Sequence, residues 1–184
     1  MPTPAKTSAA ELLRLAQGLV EETGPDALTL GALASKAGIK APSLYKHFAD
    51  RAAVLKAVEI KLLHELEAVV RGVKGRTPKA RLKAMARAYR AWGKEKPNRY
   101  RVIYSGNAFV DPEIRAACLY AAQPLFEQFR EAGVPEDRVL PVSRTIVPFL
   151  HGFVLMEIGS AFNLGGDVDE AFELGLETIL GGID

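Results

Sequence analysis

Residues 29–51 read TLGALASKAGIKAPSLYKHFADR. Thr29 is a good N-cap, and Leu30, Leu33, Ala34 and Ala37 fall on one side of the short helix it opens. Gly38 ends that helix, taking a left-handed conformation that costs most other residues about 1 kcal/mol or more. A second helix begins near Pro42, whose missing N–H costs nothing in a first turn. Ala34, one turn before Gly38, is small enough to let the two helices approach closely. Ile39, Leu44 and Phe48 anchor the second helix on the first, and Leu44 and Phe48, a turn apart, point inward together. Two short helices across so tight a turn make a helix-turn-helix.

The opposite face of the second helix carries Ser43, Lys46 and His47, with Lys40 and Ala41 at its N-terminal edge. A hydroxyl, an ammonium and an imidazole together suit base edges or phosphates when a helix enters a major groove. Tyr45 flanks them with a phenol, Thr29 offers a hydroxyl at a helix N-terminus, and Arg51 follows as a further phosphate candidate. A merely solvated polar face is the plainer alternative, and the helix-turn-helix setting favours DNA contact over it.

Outward from this stretch the chain continues as helix, without strand alternation anywhere. Upstream, Ser8 with Glu11 forms a capping box for a helix that Gly24-Pro25 stops. Downstream, Asp50 caps a long helix whose Leu55, Val58, Leu62 and Val69 repeat at helical spacing. Gly72–Thr77 breaks the chain before an amphipathic helix over 78–95, with Leu82, Met85, Ala86, Tyr89 and Trp92 on one face. A short helix through Tyr100 and Tyr104 follows, then one from Asp111 to near Gly133 and a long apolar one over 135–164. The last runs from an Asp169 cap to Leu180. The expected fold is all-α with about nine helices: a three-helix helix-turn-helix domain over 1–52 and a second helical domain over 53–184.

Of the 184 residues, 48% are hydrophobic, 25% charged and 8% aromatic, which excludes collagen-like, disordered and disulfide-scaffold classes. A lone cysteine, Cys118, forms no internal disulfide and fits a reducing cytoplasm. MPTPAKTSAA lacks the apolar core of a signal peptide. The longest apolar uncharged run, Thr145–Met156, has 12 residues, too few to span a bilayer. A cytoplasmic protein with no membrane partner is expected.

The net charge of +2 conceals an asymmetry. Residues 71–105 carry 12 Lys/Arg against Glu95 alone, while residues 106–184 carry 13 acids against four arginines. The basic run reads as a solvated face, as a partner of the acidic segment, or as a contact for DNA phosphates or an anionic ligand; solvation together with pairing is favoured because it needs no outside partner.

Four of the five tyrosines and the single tryptophan lie between residues 89 and 120. A cavity lined by Met85, Tyr89, Trp92, Tyr104, Phe109, Cys118 and His151 would be mainly apolar with a few polar handles, as small-molecule sites are. Core packing competes with that reading, and for His151 stands slightly ahead of it. Gly152 and Gly159 form a small-residue stripe suited to close packing, within the chain or across a dimer. HExxH, CxxC, GxxxxGK[ST] and GxSxG are all missing, and the three histidines lie far apart. Neither an enzyme nor a cofactor or metal site is expected.

ALTLGALASKAGIKAPSLYKHFADRAAVL resembles the DNA-binding domain of the tetracycline-repressor (TetR/AcrR) family, over about residues 8–60. The resemblance rests on the Leu30, Leu33-Ala34, Gly38-Ile39 spacing, on Ser43–Phe48 and on Asp50-Arg51. It implies DNA contacts at Thr29, Lys40, Ala41, Ser43, Tyr45, His47 and Arg51; Gly31 departs from the basic or polar residue often found there. LHGFVLMEIGSAF (150–162) resembles the second half of one subgroup, marked by a His-Gly pair. That implies a helical ligand-binding and dimerisation domain, hence a homodimeric regulator, a repressor released from an inverted-repeat operator by a small molecule. A helical adaptor that binds another protein, without sequence-specific DNA binding, is the alternative.

Overall fold

The structure, a computed structural model, describes residues 8–104 and 110–182. Among these residues there are nine α-helices and no strand: α1 (Ala9–Thr23), α2 (Leu30–Ala37), α3 (Ala41–Leu44), α4 (Arg51–Arg71), α5 (Pro78–Glu95), α6 (Pro97–Val102), α7 (Pro112–Glu131), α8 (Glu136–Ile158) and α9 (Val168–Gly181). A 3₁₀ turn, Pro25–Ala27, joins α1 to α2. The all-α expectation holds.

Side chains close the helix starts as the sequence dictates. The Ser8 hydroxyl accepts from the Glu11 N–H at 3.1 Å, Thr29 from Ala32 at 3.0 Å, Asp50 from Ala53 at 2.8 Å and Thr77 from Ala80 at 3.1 Å. Each cap satisfies a donor with no acceptor in its own helix and contributes about 0.5–2 kcal/mol. The start of α9 corrects the sequence reading: its cap is Asp167, which accepts from the N–H groups of both Asp169 and Glu170. Gly165 and Gly166, at φ +83° and +87°, turn the chain into that position. α8 stops at Ile158, short of residue 164, because Gly159 caps it and Ser160 turns to φ 52°.

The chain forms two compact units, Met1–Leu63 with Lys96–Ala117 and His64–Glu95 with Cys118–Asp184, so α4 and α7 contribute residues to both. In the first unit α1 packs on α2 and α6, and α2 on α3. Leu12, Val20, Leu28, Leu33, Leu44, Val58 and Tyr100 make its core. The Lys96 ammonium meets the Glu21 carboxylate at 2.7 Å and the Asn98 amide donates to the Glu21 carbonyl at 3.2 Å, which fixes α6 against the end of α1.

In the second unit α5 packs on α8 and α9, and α8 on α9. The α5 face expected from the sequence is buried in full. Close approach of α8 and α9 occurs at Gly175, where a Cβ would meet the Phe149 ring at 2.5 Å. Among the described residues the Gly152–Gly159 stripe is not used in this way: none of them comes within 4 Å of a Cβ built on Gly152. By length and composition α8 is apolar enough to cross a membrane, with a mean hydropathy of 1.5 over its best 18 residues, of which 28% are buried.

Candidate nucleic-acid interface

The turn between α2 and α3 is closed by Gly38 at φ +65°, with the Ile39 N–H donating to the Ala34 carbonyl at 3.1 Å. Leu44 is fully buried, and the N–H groups of His47 and Phe48 both return to its carbonyl, at 2.8 and 2.9 Å, extending the single turn of α3. That anchor turns Tyr45, Lys46 and His47 outward. Tyr45 is 60% exposed, Lys40, Ala41, Lys46 and His47 are exposed, and Ser43 is half-buried.

Charge around this face is one-sided. Among the described residues neither Lys40 nor Lys46 has an acidic partner, while Lys36 is taken by Glu22 at 2.6 Å. Asp50, the one acid in the stretch, faces the Ala53 N–H. Thr29 is exposed; its oxygen accepts from Ala32 and its hydroxyl hydrogen is left for an outside acceptor. Arg51 stands apart from these residues: Nε donates to the Leu28 carbonyl at 2.6 Å and Nη2 to the Pro25 carbonyl at 2.7 Å.

The other basic run is engaged by carboxylates. In the second unit Arg71 bonds Glu67 and Glu127, Arg81 bonds Glu131, Lys83 bonds Glu177 and Arg87 bonds Glu173. Arg90 is held most completely. It pairs with Glu157 at 2.6 Å and Asp169 at 2.7 Å, and its guanidinium lies over the Phe172 and Phe153 rings at 4.5 and 5.3 Å. Burial pushes the Glu157 carboxyl up, but the bonds from Arg90 and Lys94 more than offset it and hold Glu157 below its ordinary range. Pairing within the chain thus accounts for much of the basic segment.

Of the residues expected to line a ligand cavity, Met85, Tyr89 and Trp92 lie buried on α5, and α8, which packs on α5, carries the half-buried His151. Burial lowers the His151 imidazole pKa and favours its neutral form. Cys118 is half-buried on α7. Tyr104 belongs to the first unit, 39% exposed with its ring 5.3 Å from Tyr100, and Phe109 lies outside the described residues. Met85 also borders a cavity of about 80 Å³ beside Val70, Arg81 and Pro124. A larger one, about 420 Å³, is lined by Arg90, Met156, Glu157 and Phe162.

Comparison with known proteins decides the family. The family described as bacterial regulatory proteins, tetR family, matches residues 12–58, and the tetracyclin repressor-like C-terminal domain matches residues 82–179. The chain belongs to the TetR family of transcriptional regulators. This TetR-family regulator is 32% identical over 160 residues to the uncharacterized HTH-type transcriptional regulator Rv0681 of Mycobacterium tuberculosis, covering 84% of this chain and 72% of that protein. A protein with unknown function from Rhodococcus sp. RHA1 shares the fold at a TM-score of 0.84 and 24% identity, over 98% of both chains. Streptomyces coelicolor ActR, solved in complex with (S)-DNPA, superposes with a TM-score of 0.74 at 19% identity, over 97% of this chain and 98% of that one.

One feature of the family member is not readable from its sequence. Leu140, Leu155 and Met156 on α8 and Leu174 on α9 are 48%, 42%, 43% and 67% exposed, and Leu164 between the helices is fully so. Because α8 is apolar nearly all round, periodicity cannot separate this exposed side from the buried one.

Proposed function

We propose that the protein is a homodimeric, ligand-responsive repressor, released from a palindromic operator by a small molecule in the cytoplasm. The observation that carries this reading is the outward face of α3, where exposed Lys40, Tyr45, Lys46 and His47 project from a turn whose Leu44 is sealed in the core. In a major groove Ser43, Lys46 and His47 would address base edges and Ala41 a thymine methyl, while Lys40, Tyr45 and Thr29 hold phosphates.

One such helix reads only a few base pairs, so specificity calls for two. A two-fold dimer presents them to half-sites about 34–36 Å apart, or a multiple of that. The exposed apolar side of α8 and α9 supports pairing through these helices, since Leu155, Met156 and Leu174 leave water only when a second surface covers them. The complex of ActR with (S)-DNPA supports a small-molecule effector, and an expected lining that is mainly apolar with a few polar handles calls for one that is mainly apolar with a polar group. Of its expected lining, Met85, Tyr89, Trp92, Cys118 and His151 lie in the second unit. α4, with residues in both units, would carry the response. An effector favouring the non-binding spacing needs a coupling of about 1–3 kcal/mol to release DNA.

Fluorescence anisotropy with an inverted repeat from the region upstream of the protein's own gene tests the reading. Tight, salt-sensitive binding by a species of dimer mass, weakened by Lys46→Ala, is the expected outcome. Equal binding to that repeat and to random duplex would sink it and leave the adaptor.

A further inference from the structure

We propose that Arg51 is a positioning residue, which sets the entry of α2 and the phosphate-facing end at Thr29 and does not itself contact DNA. The proposal rests on the DNA-binding reading above. Arg51 opens α4, and its guanidinium spans two carbonyls of the connection between α1 and α2, Leu28 at 2.6 Å and Pro25 at 2.7 Å. The Leu28 carbonyl belongs to the peptide that enters Thr29, so Arg51 fixes the plane of that peptide. Behind it the Leu28 side chain is 1% exposed. In front, Thr29 accepts from the Ala32 N–H on its hydroxyl and from the Leu33 N–H on its carbonyl, each at 3.0 Å. Thr29 is thus held from the core, from its own helix and from α4.

External fixation matters because α2 has eight residues, too few for a helix to persist unaided in water. The rigid donor fork of a guanidinium engages both carbonyls at once, whereas an ammonium on a flexible stem is a point donor. The same bonds tie the end of α2 to the first turn of α4, so the two move together. Two of the five N–H donors of the guanidinium, including Nε, are aimed at the connection between α1 and α2, whereas among the described residues the ammonium groups of Lys40 and Lys46 have no acidic partner.

The test uses the full-length protein with Arg51→Gln and Arg51→Lys. Hydrogen exchange is followed over residues 28–37 and over α5, and anisotropy is measured on the upstream repeat and on mixed-sequence duplex between about 50 and 200 mM salt. Both variants are expected to exchange roughly tenfold faster at Ala32 and Leu33 but not in α5. Both should bind DNA about tenfold more weakly at every salt concentration, with the slope of log K against log salt unchanged and no rescue by lysine. A lost phosphate contact instead makes that slope shallower by about 0.9 per phosphate. A change of that size in Arg51→Gln, or wild-type affinity in Arg51→Lys, overturns the proposal whatever the exchange shows. Unchanged exchange at residues 28–37 overturns it too, as does acceleration spread equally through α5, which would make Arg51 a general stabiliser. Should the wild type bind neither duplex, the DNA-binding reading fails, and the exchange measurement still decides whether Arg51 fixes α2.

Discussion

The cations along α5 reach carboxylates: Arg81, Lys83, Arg87, Arg90 and Lys94 all end on glutamates. Among the described residues those around α3, Lys40 and Lys46, reach none. Residues 71–105 carry 12 Lys/Arg against one acid, a run for which pairing within the chain is the favoured expectation. Acids from α7, α8 and α9 meet six of those cations, Arg71, Arg81, Lys83, Arg87, Arg90 and Lys94, while Lys40 and Lys46 keep their field. For recognition of an anion the relevant quantity is unpaired charge on an anchored face, not charge density in the sequence.

Acidification breaks the contrast most broadly. Glu157 is held below its ordinary 4.5 because the Arg90 and Lys94 bonds outweigh burial, and Glu173 is held below it by the Arg87 guanidinium. A carboxyl lowered on folding contributes stability that is fully present above its unfolded pKa and is lost as pH falls through the folded one. Stability from urea unfolding is therefore expected to be level with respect to these groups above about pH 5 and to fall below about 4.5. Next in size, Arg90→Met leaves Glu157 with only 8% of its side chain exposed and its main partner gone. A cost of about 3 kcal/mol, or roughly 6–12 °C in melting temperature, is expected by thermal unfolding, with the DNA affinity of the folded protein unchanged.

Lys46→Ala should do the converse. Its effect on stability stays within about 0.5 kcal/mol, while DNA binding weakens by about 1–3 kcal/mol, read as a loss of roughly 5- to 150-fold in anisotropy titration. Smallest is Arg87→Ala. That pair is 53% and 40% exposed, so its loss should cost less than about 1 kcal/mol in urea unfolding and leave DNA binding alone. An effect of Arg87→Ala on DNA affinity as large as that of Lys46→Ala would erase the distinction between the two basic regions.

What was legible in the sequence is what short-range chemistry decides. Ser8, Thr29, Asp50 and Thr77 cap helices because their acceptors lie three residues from the donors they satisfy. Gly38 and Leu44 set the helix-turn-helix within one turn of chain on either side. Register on a longer helix is harder. Val58 and Leu62 are fully buried on α4 as expected, but Val69 is 38% exposed, and Val54, Leu66 and Val70 complete the buried stripe. An apolar-rich helix offers neighbouring stripes, and only the packed partner chooses between them. Arg51 shows the same limit for a charged group. Its charge reads as a phosphate ligand, yet its partners are backbone carbonyls of Pro25 and Leu28, which carry no mark in the residue types. For α5, pairing with the acidic segment was legible in the totals, but which glutamate meets which cation required the fold.

The contact at Gly175 has a mechanical consequence. A side chain at 175 would have to push the Phe149 ring aside, so the glycine is what lets that ring of α8 rest directly on the α9 backbone. A molecule that shifted α8 would then press on α9 through the ring.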